Sequence, residues 1–158
     1  MVAWSAPTSL TMENQVTGDP VNMDAAGDTI AVVLLKSTYT YSVTHEDAAD
    51  LVLASNEVSG DQYTQFVPGT AREQLAGQLI TLDSPSAGQV KWDATDHVFA
   101  VSGTGFTDAR HIIICHEGAT EALSRIILHA DLGSDFGNVA GSLTLQWNVN
   151  GLINWTGS

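Results

Sequence analysis

The segment DTIAVVLLKSTYTYSV, residues 28–43, decides the fold. Its first half is an unbroken apolar run rich in β-branched residues, which is typical of a strand buried on both faces. Tyr39, Tyr41 and Val43 then follow at every second position, with hydroxylated residues between them. Because side chains alternate along a strand, this period of two predicts that the strand continues to Val43.

The residues that follow change their period and predict one short helix. In THEDAADLV, residues 44–52, the apolar side chains recur at helical spacing from Ala48 onward. Thr44 is the predicted N-cap, and Asp47 stands three residues later, as in a capping box. His45 lies beside two acidic residues, but acids at a helix start complement the helix dipole. We therefore interpret this histidine as part of a helix start and not as acid–base or metal chemistry.

Further strands and turns recur about every ten residues along the rest of the chain. ARHIIICHEG, residues 109–118, and SRIILHADLG, residues 124–133, predict an antiparallel hairpin. A second hairpin is predicted from QLITLD and QVKWDA, and single strands are predicted from DHVFAVSG, SLTLQWNV and LINW. In SLTLQWNV the predicted inward side chains are Leu143, Leu145, Trp147 and Val149.

These patterns predict an all-β fold class. We expect one β-rich domain over residues 1–158, with residues 1–20 as an extended N-terminal arm. The predicted architecture is an antiparallel β-sandwich or a jelly-roll-like barrel of about eight strands with one short helix.

The charge balance limits the classes of partner. The chain has 18 acidic and 5 basic residues, a formal net charge of -13. A chain with this net negative charge repels phosphate backbones and anionic membranes. We therefore expect no nucleic acid and no membrane as partners. One cysteine, Cys115, allows no intrachain disulfide, and no signal peptide or membrane-spanning run is evident.

Several residue groups are candidate chemical sites. His111, Cys115 and His116 resemble a metal or nucleophile cluster, but adjacent strand residues point to opposite faces, so Cys115 is interpreted as a buried structural residue.

DLGSDFGN, residues 131–138, offers oxygen ligands for calcium, yet the same residues are typical of any turn. His97 and His129 look isolated. We expect no enzyme activity, no cofactor and no metal, because no nucleophile elbow or phosphate-binding loop is present.

The aromatic residues leave two alternatives open. The tryptophans and tyrosines form either a ligand-stacking platform, as in carbohydrate binders, or part of the core or of a subunit interface. Core or interface is the favoured interpretation.

Six segments in unbroken order resemble small virion proteins encoded among the structural genes of tailed bacteriophages. The resemblance covers about residues 22–155. The corresponding family motifs are D-T-I-K-V-A-L-L, N-E-V-S-G-x-G-Y-T and F-x-I-x-W-x-x-x-G, and their ordered succession carries the resemblance. Tyr41 stands where the family has proline, and Gln62 where it has the second glycine of the second motif. The segments are DTIAVVLLKSTYTYSVTHEDAADL, ASNEVSGDQYT, VKWDATDHVFA, TDARHIIICHEG, IILHADLGSDF and LTLQWNVNGLINW.

The resemblance implies a capsid decoration or cement protein and brings no catalytic residues with it. The implied partner is the major capsid protein, with self-association as a dimer or trimer, on the outer surface of the virion after synthesis in the host cytoplasm. Tyr39, Tyr41 and Trp155 are the expected contact residues. A tail, fibre or baseplate component, and a carbohydrate- or calcium-dependent adsorption module, are the alternatives.

Overall fold

The computed structural model describes residues 4–5, 23, 28–61, 63–84, 89–99, 103–138, 141–149 and 151–156. Nine strands lie within these residues, and the helical parts are the 3₁₀ turns Ala48–Leu51 and Glu121–Leu123 and the short α-helix Leu53–Asn56. The strands are β1 Trp4–Ser5, β2 Ile30–Lys36, β3 Leu79–Ser84, β4 Gln89–Asp93, β5 His97–Phe99, β6 Phe106–His116, β7 Ile126–Asn138, β8 Leu143–Leu145 and β9 Ile153–Thr156.

The strands form three open antiparallel sheets, which confirms the all-β prediction. The largest has the order β1-β7-β6-β2, and the smaller ones are β3-β4-β9 and the pair β5-β8. Both predicted hairpins, β6-β7 and β3-β4, are present. Since the large sheet ends at β1 on one edge and β2 on the other, the described strands do not close into a barrel.

The large sheet is buried on both faces because β2 and β6 carry apolar side chains in both directions. Val32, Leu34 and Ile114 belong to a core shared with Trp92 and Phe99 of the smaller sheets. Their strand neighbours face a second core on the opposite side, which the 3₁₀ turn Ala48–Leu51 and the α-helix help to cover. The double-sided burial predicted for residues 30–35 is therefore confirmed.

The outer edge of β2 is covered by the segment between residues 57 and 75. Val58 N–H donates to the Leu34 carbonyl at 3.0 Å, and Leu75 N–H donates to the Ile30 carbonyl at 2.8 Å. Leu34 N–H donates to the Tyr63 hydroxyl at 3.2 Å. An unpaired strand edge promotes aggregation. These bonds satisfy backbone N–H and C=O groups at the edge of β2 without another strand.

Glu57 holds this covering segment together. Its buried carboxylate accepts the Tyr63 hydroxyl at 2.5 Å and Phe66 N–H at 2.6 Å. Burial raises the pKa of Glu57, and the hydrogen bonds from Phe66 and Tyr63 oppose that rise. Glu57 therefore links the Tyr63 hydroxyl, which accepts a hydrogen bond from the backbone of β2, to the loop that contains Phe66.

Two predictions near β2 are wrong. The strand ends at Lys36, and residues 37–43 leave the ladder after a register shift between Leu35 and Lys36. The helical N-cap is Asp47 instead of Thr44, because Asp47 accepts Ala49 N–H while the Asp50 carboxylate accepts the backbone of Asp47. The capping box therefore exists, three residues later than predicted.

Two predictions in the C-terminal third are also wrong. Residues 131–138 are not a loop but the second half of β7. Gly137 allows this course, since a Cβ there would lie 2.4 Å from the Phe106 carbonyl oxygen. The strand predicted over residues 142–149 is limited to β8, and Val149 is 84% exposed instead of facing inward.

The N-terminal arm lies mostly outside the described residues. Within it, Trp4 and Ser5 form β1, which pairs with Ala130 and His129 of β7.

Among the described residues, no helix is long and apolar enough to cross a membrane.

Candidate functional site

A set of polar aromatic side chains lies where the second core reaches the surface. Residues 37–45 leave β2 and fold back over β6 and β7. This brings Tyr39 onto His111 of β6 and Tyr41 onto His129 of β7, while His45 contacts both tyrosines. We refer to these five side chains as the histidine–tyrosine cluster.

The two strand histidines form the base of the cluster. His111 Nδ1 and His129 Nε2 lie 3.1 Å apart, so one ring donates a hydrogen bond to the other. The β6-β7 ladder places His129 opposite Ile113, two residues from His111 on the same face. Both side chains are buried, with residue exposures of 5% and 6%.

The segment 37–45 covers this pair with two tyrosine rings. Tyr41 stacks on His129 with ring centroids 4.0 Å apart and an interplanar angle of 11°. The Tyr39 hydroxyl lies 2.8 Å from His45 Nδ1, and its ring meets His111 edge-on at 5.4 Å. Within the described residues, the buried Tyr41 hydroxyl has no hydrogen-bond partner.

A surface cavity of about 280 Å³ opens beside the cluster. Its rim carries Arg110 and Asp131, whose side chains form two parallel hydrogen bonds of 2.9 and 3.1 Å. The Arg110 guanidinium holds the pKa of Asp131 well below its usual range, and Gly133 N–H adds to the effect. The cavity wall therefore combines aromatic surface with a fixed charge pair.

Burial lowers the affinity of the histidine pair for protons. Loss of solvent lowers the pKa of His129 to about 4, with the neighbouring His111 as the second cause. The pKa of His111 is also lowered by burial and by Arg110, whereas Asp131 acts in the opposite direction. At neutral pH the pair is therefore uncharged.

The predicted contact residues occupy two different places. Tyr39 is buried in the second core at 5% exposure, and Tyr41 packs against that core, so both belong to the cluster. Trp155 lies in β9, where its backbone pairs with Val90, and its side chain is outside the described residues.

The expectation that His97 and His129 are isolated is wrong. His129 belongs to the cluster described above. His97 Nε2 lies 3.0 Å from Glu73 Oε2, and both side chains are largely buried. The His97–Glu73 contact does not follow from sequence spacing, because the two residues lie on chain segments that share no strand pair.

Cys115 is fully buried on the second core, which agrees with its interpretation as a structural residue. Burial raises the pKa of its thiol far above the ordinary value, which suppresses the reactive thiolate. We expect a thiol reagent such as Ellman's reagent to leave the native protein unlabelled and to react with one thiol per chain in denaturant. Rapid labelling of the native protein would contradict the buried position.

Metal ligation gains no support in the part of the chain that the structure describes, where no three His, Cys, Asp or Glu side chains group around a common point. Asp131 and Asp135, which lie in the segment considered above for calcium, bind Arg110 and Ser37 respectively. Both carboxylates of residues 131–138 therefore already form hydrogen bonds with other side chains of the protein.

The histidine–tyrosine cluster is the site that the sequence indicated only in part. Alternation identified Tyr39 and Tyr41, but only the fold brings His129 next to His111. The chain matches no protein-family model, and no curated protein or solved structure is detectably similar to it.

Proposed function

We propose that this chain is a structural protein of a tailed-bacteriophage virion, namely a capsid decoration or cement protein. It binds the outer surface of the major capsid lattice and stabilises the head. The support is the resemblance over residues 22–155, together with the roles that the resembling residues play in the fold.

The observation that carries the proposal is the structural role of the motif ASNEVSGDQYT, residues 54–64. Its Glu57 and Tyr63 close the edge of β2, and its Gly60 packs directly against the backbone of Gly105. The motif that carries part of the resemblance thus also helps to hold the fold together. Such a role fits a protein whose work is to remain rigid while bound.

The charge distribution supports an outward position on the shell. A net charge of -13 disfavours contact with packaged DNA and favours a partner surface that carries basic groups. The proposed partner is the major capsid protein, and the chain self-associates as a dimer or trimer at symmetry axes of the lattice.

Stabilisation of the shell follows from mass action. A protein that binds the assembled shell and not its dissociated subunits shifts the equilibrium toward the shell. Each copy contributes little, but many identical copies act together against the internal pressure of the DNA.

The surface segment 37–45 is the proposed contact region, together with Trp155. Tyr39 and Tyr41 fix the segment over the histidine pair, and Val43 projects from it with 62% of its surface exposed. An exposed valine on an aromatic-anchored loop is suited to burial against a partner.

The proposal is tested by adding the purified chain to particles of the encoding virus that lack it. We expect saturable binding to the outside of the shell and a higher temperature of DNA release. A Val43→Asp variant is expected to bind at least tenfold more weakly, since it places a charge in the contact. Val149→Asp, at a more exposed valine elsewhere, is the matched control and should bind as the wild type does. Absence of any binding or of any change in DNA release would refute the proposal.

A further inference from the structure

The segment 37–45 depends on side-chain packing to a greater degree than on the sheet. Between residues 37 and 46 it joins no strand ladder. Its backbone–backbone bonds are local, from Tyr39 N–H to the Lys36 carbonyl and from His45 N–H to the Ser42 carbonyl, and the backbone of Tyr39 also bonds the His111 ring. The longer-range anchors are Tyr39 and Tyr41 on the histidine pair and Ser37 Oγ on Asp135.

The histidine pair beneath the segment tolerates one proton and not two. A neutral pair and a singly protonated pair both retain one N–H···N bond, since one ring still offers a lone pair. A doubly protonated pair has two donors, no acceptor and two positive charges at 3.1 Å. Because both rings are largely buried, solvent screens this repulsion only weakly in the closed structure.

We propose that His111 and His129 form a proton-operated latch, which holds the segment 37–45 on the sheet while the pair carries at most one proton and releases it when a second proton binds. Release exposes Tyr39 and Tyr41 and leaves the ladders of the large sheet intact. The proposal does not depend on the identity of the chain's partner.

The charged groups around the pair do not cancel this effect. From β7, Asp131 favours protonation of both rings and Asp135 that of His111, which the backbone of Tyr39 also favours, but Asp131 is already bound to Arg110 of β6, which opposes protonation of His111. From the covering segment, His45 opposes protonation of His129. Burial raises the pKa of Tyr39, so its phenol supplies no counter-charge for a second proton.

The direction of the pH effect follows from proton linkage. Above about pH 6.5, the ordinary value for histidine, both the closed and the open segment leave the rings neutral, and opening is independent of pH. Below that pH the open rings bind two protons, while the closed pair binds the second only near the depressed pKa of His129, about 4. Opening therefore becomes more favourable as the pH falls from about 6.5 to 4.

Native-state hydrogen exchange tests the proposal on the full chain. We expect the protection factors of the Tyr39 and His45 amides, corrected for intrinsic exchange, to fall by about tenfold per pH unit between pH 6 and 4.5. They should remain below those of the Val33 and Ile113 amides, because release is local. Segment protection that is independent of pH, or equal to that of the core amides throughout, would overturn the proposal.

Two variants assign the effect to the pair. His129→Gln preserves a hydrogen-bonding group without a proton-binding ring, and we expect it to abolish the pH dependence. His97→Gln, which lies outside the histidine–tyrosine cluster, should retain it. If His97→Gln abolishes the dependence as well, the assignment to the pair is wrong.

A measurement on the wild-type protein covers the case in which His129→Gln fails to fold. The ring ¹⁵N shifts of His111 and His129 report each protonation state directly. We expect the pair to take up its two protons in separate steps, the second near pH 4 and accompanied by loss of the Tyr41 ring-current shift. Independent titration of both rings at an ordinary histidine value would overturn the latch.

Discussion

Replacing Glu57 with alanine is expected to lower the free energy of unfolding by about 3 kcal/mol. The carboxylate accepts the Tyr63 hydroxyl and Phe66 N–H, both in buried surroundings. Its removal leaves two buried donors without an acceptor, each costing about 1–3 kcal/mol, while relief of the buried carboxylate's desolvation offsets part of the loss. Urea denaturation monitored by tryptophan fluorescence gives the value.

Two further variants test whether the Glu57 hydrogen bonds are the cause. Glu57→Gln keeps an acceptor of nearly the same shape and should cost less than half as much as alanine. Tyr63→Phe removes the hydroxyl that bonds both Glu57 and the backbone of Leu34. The double variant Glu57→Ala/Tyr63→Phe should therefore be less destabilised than the sum of the single variants. Additive effects would show that the two side chains act independently.

Replacing Gly60 with alanine is expected to lower the free energy of unfolding by about 3 kcal/mol, through a steric clash. An ideal Cβ at this position would lie 2.2 Å from the Gly105 carbonyl oxygen and 2.7 Å from Phe106 Cβ. The obstacle is backbone, so a side-chain rotation cannot relieve it. The contact joins the covering segment of β2 to the start of β6, and thermal denaturation followed by circular dichroism measures its loss.

Gly133→Ala is the matched control for this clash. Gly133 adopts a φ of +77°, but nothing lies within 4 Å of an added Cβ. Alanine there should cost only about 1–2 kcal/mol, from the left-handed backbone alone. Equal destabilisation at the two positions would contradict the close approach of residues 60 and 105.

The sheet-forming parts of the fold were predictable because their signal is local. In β2 and β6 every residue of the central run is apolar and many are β-branched, so the interpretation needs no knowledge of distant contacts. The hairpins were predictable because glycine, proline and serine separate their strands. Alternation also identified correctly that Ile112 and Ile113 of β6 face different cores.

The errors arise where tertiary contacts outweigh the local pattern. Tyr39 and Tyr41 have the spacing of a strand, yet they pack on histidines 72 or more positions away in the chain. Gly133 and Gly137 look like turn residues, but they accommodate a ladder between β6 and β7 that has several register shifts. The cluster could not be predicted because those same shifts decide which face His129 occupies.

The fold and the proposed function are connected through the segment 37–45. The segment that carries the proposed capsid contact is held in place by the tyrosines that cover the histidine pair. If both proposals hold, acid releases the contact region while the sheets persist, so attachment to the shell weakens below about pH 5 before the chain unfolds. Loss of binding only at the pH of global unfolding would separate the two proposals and leave the first intact.

The central claim is that this chain is an external stabilising component of a phage head. The most direct measurement is a cryo-EM reconstruction of the particles that contain it, with the copy number counted from the density. Our account predicts hundreds of copies on the outer surface of the capsid, each seated on the major capsid protein. A few dozen copies confined to the tail, or a shell with no density for this chain, would contradict it.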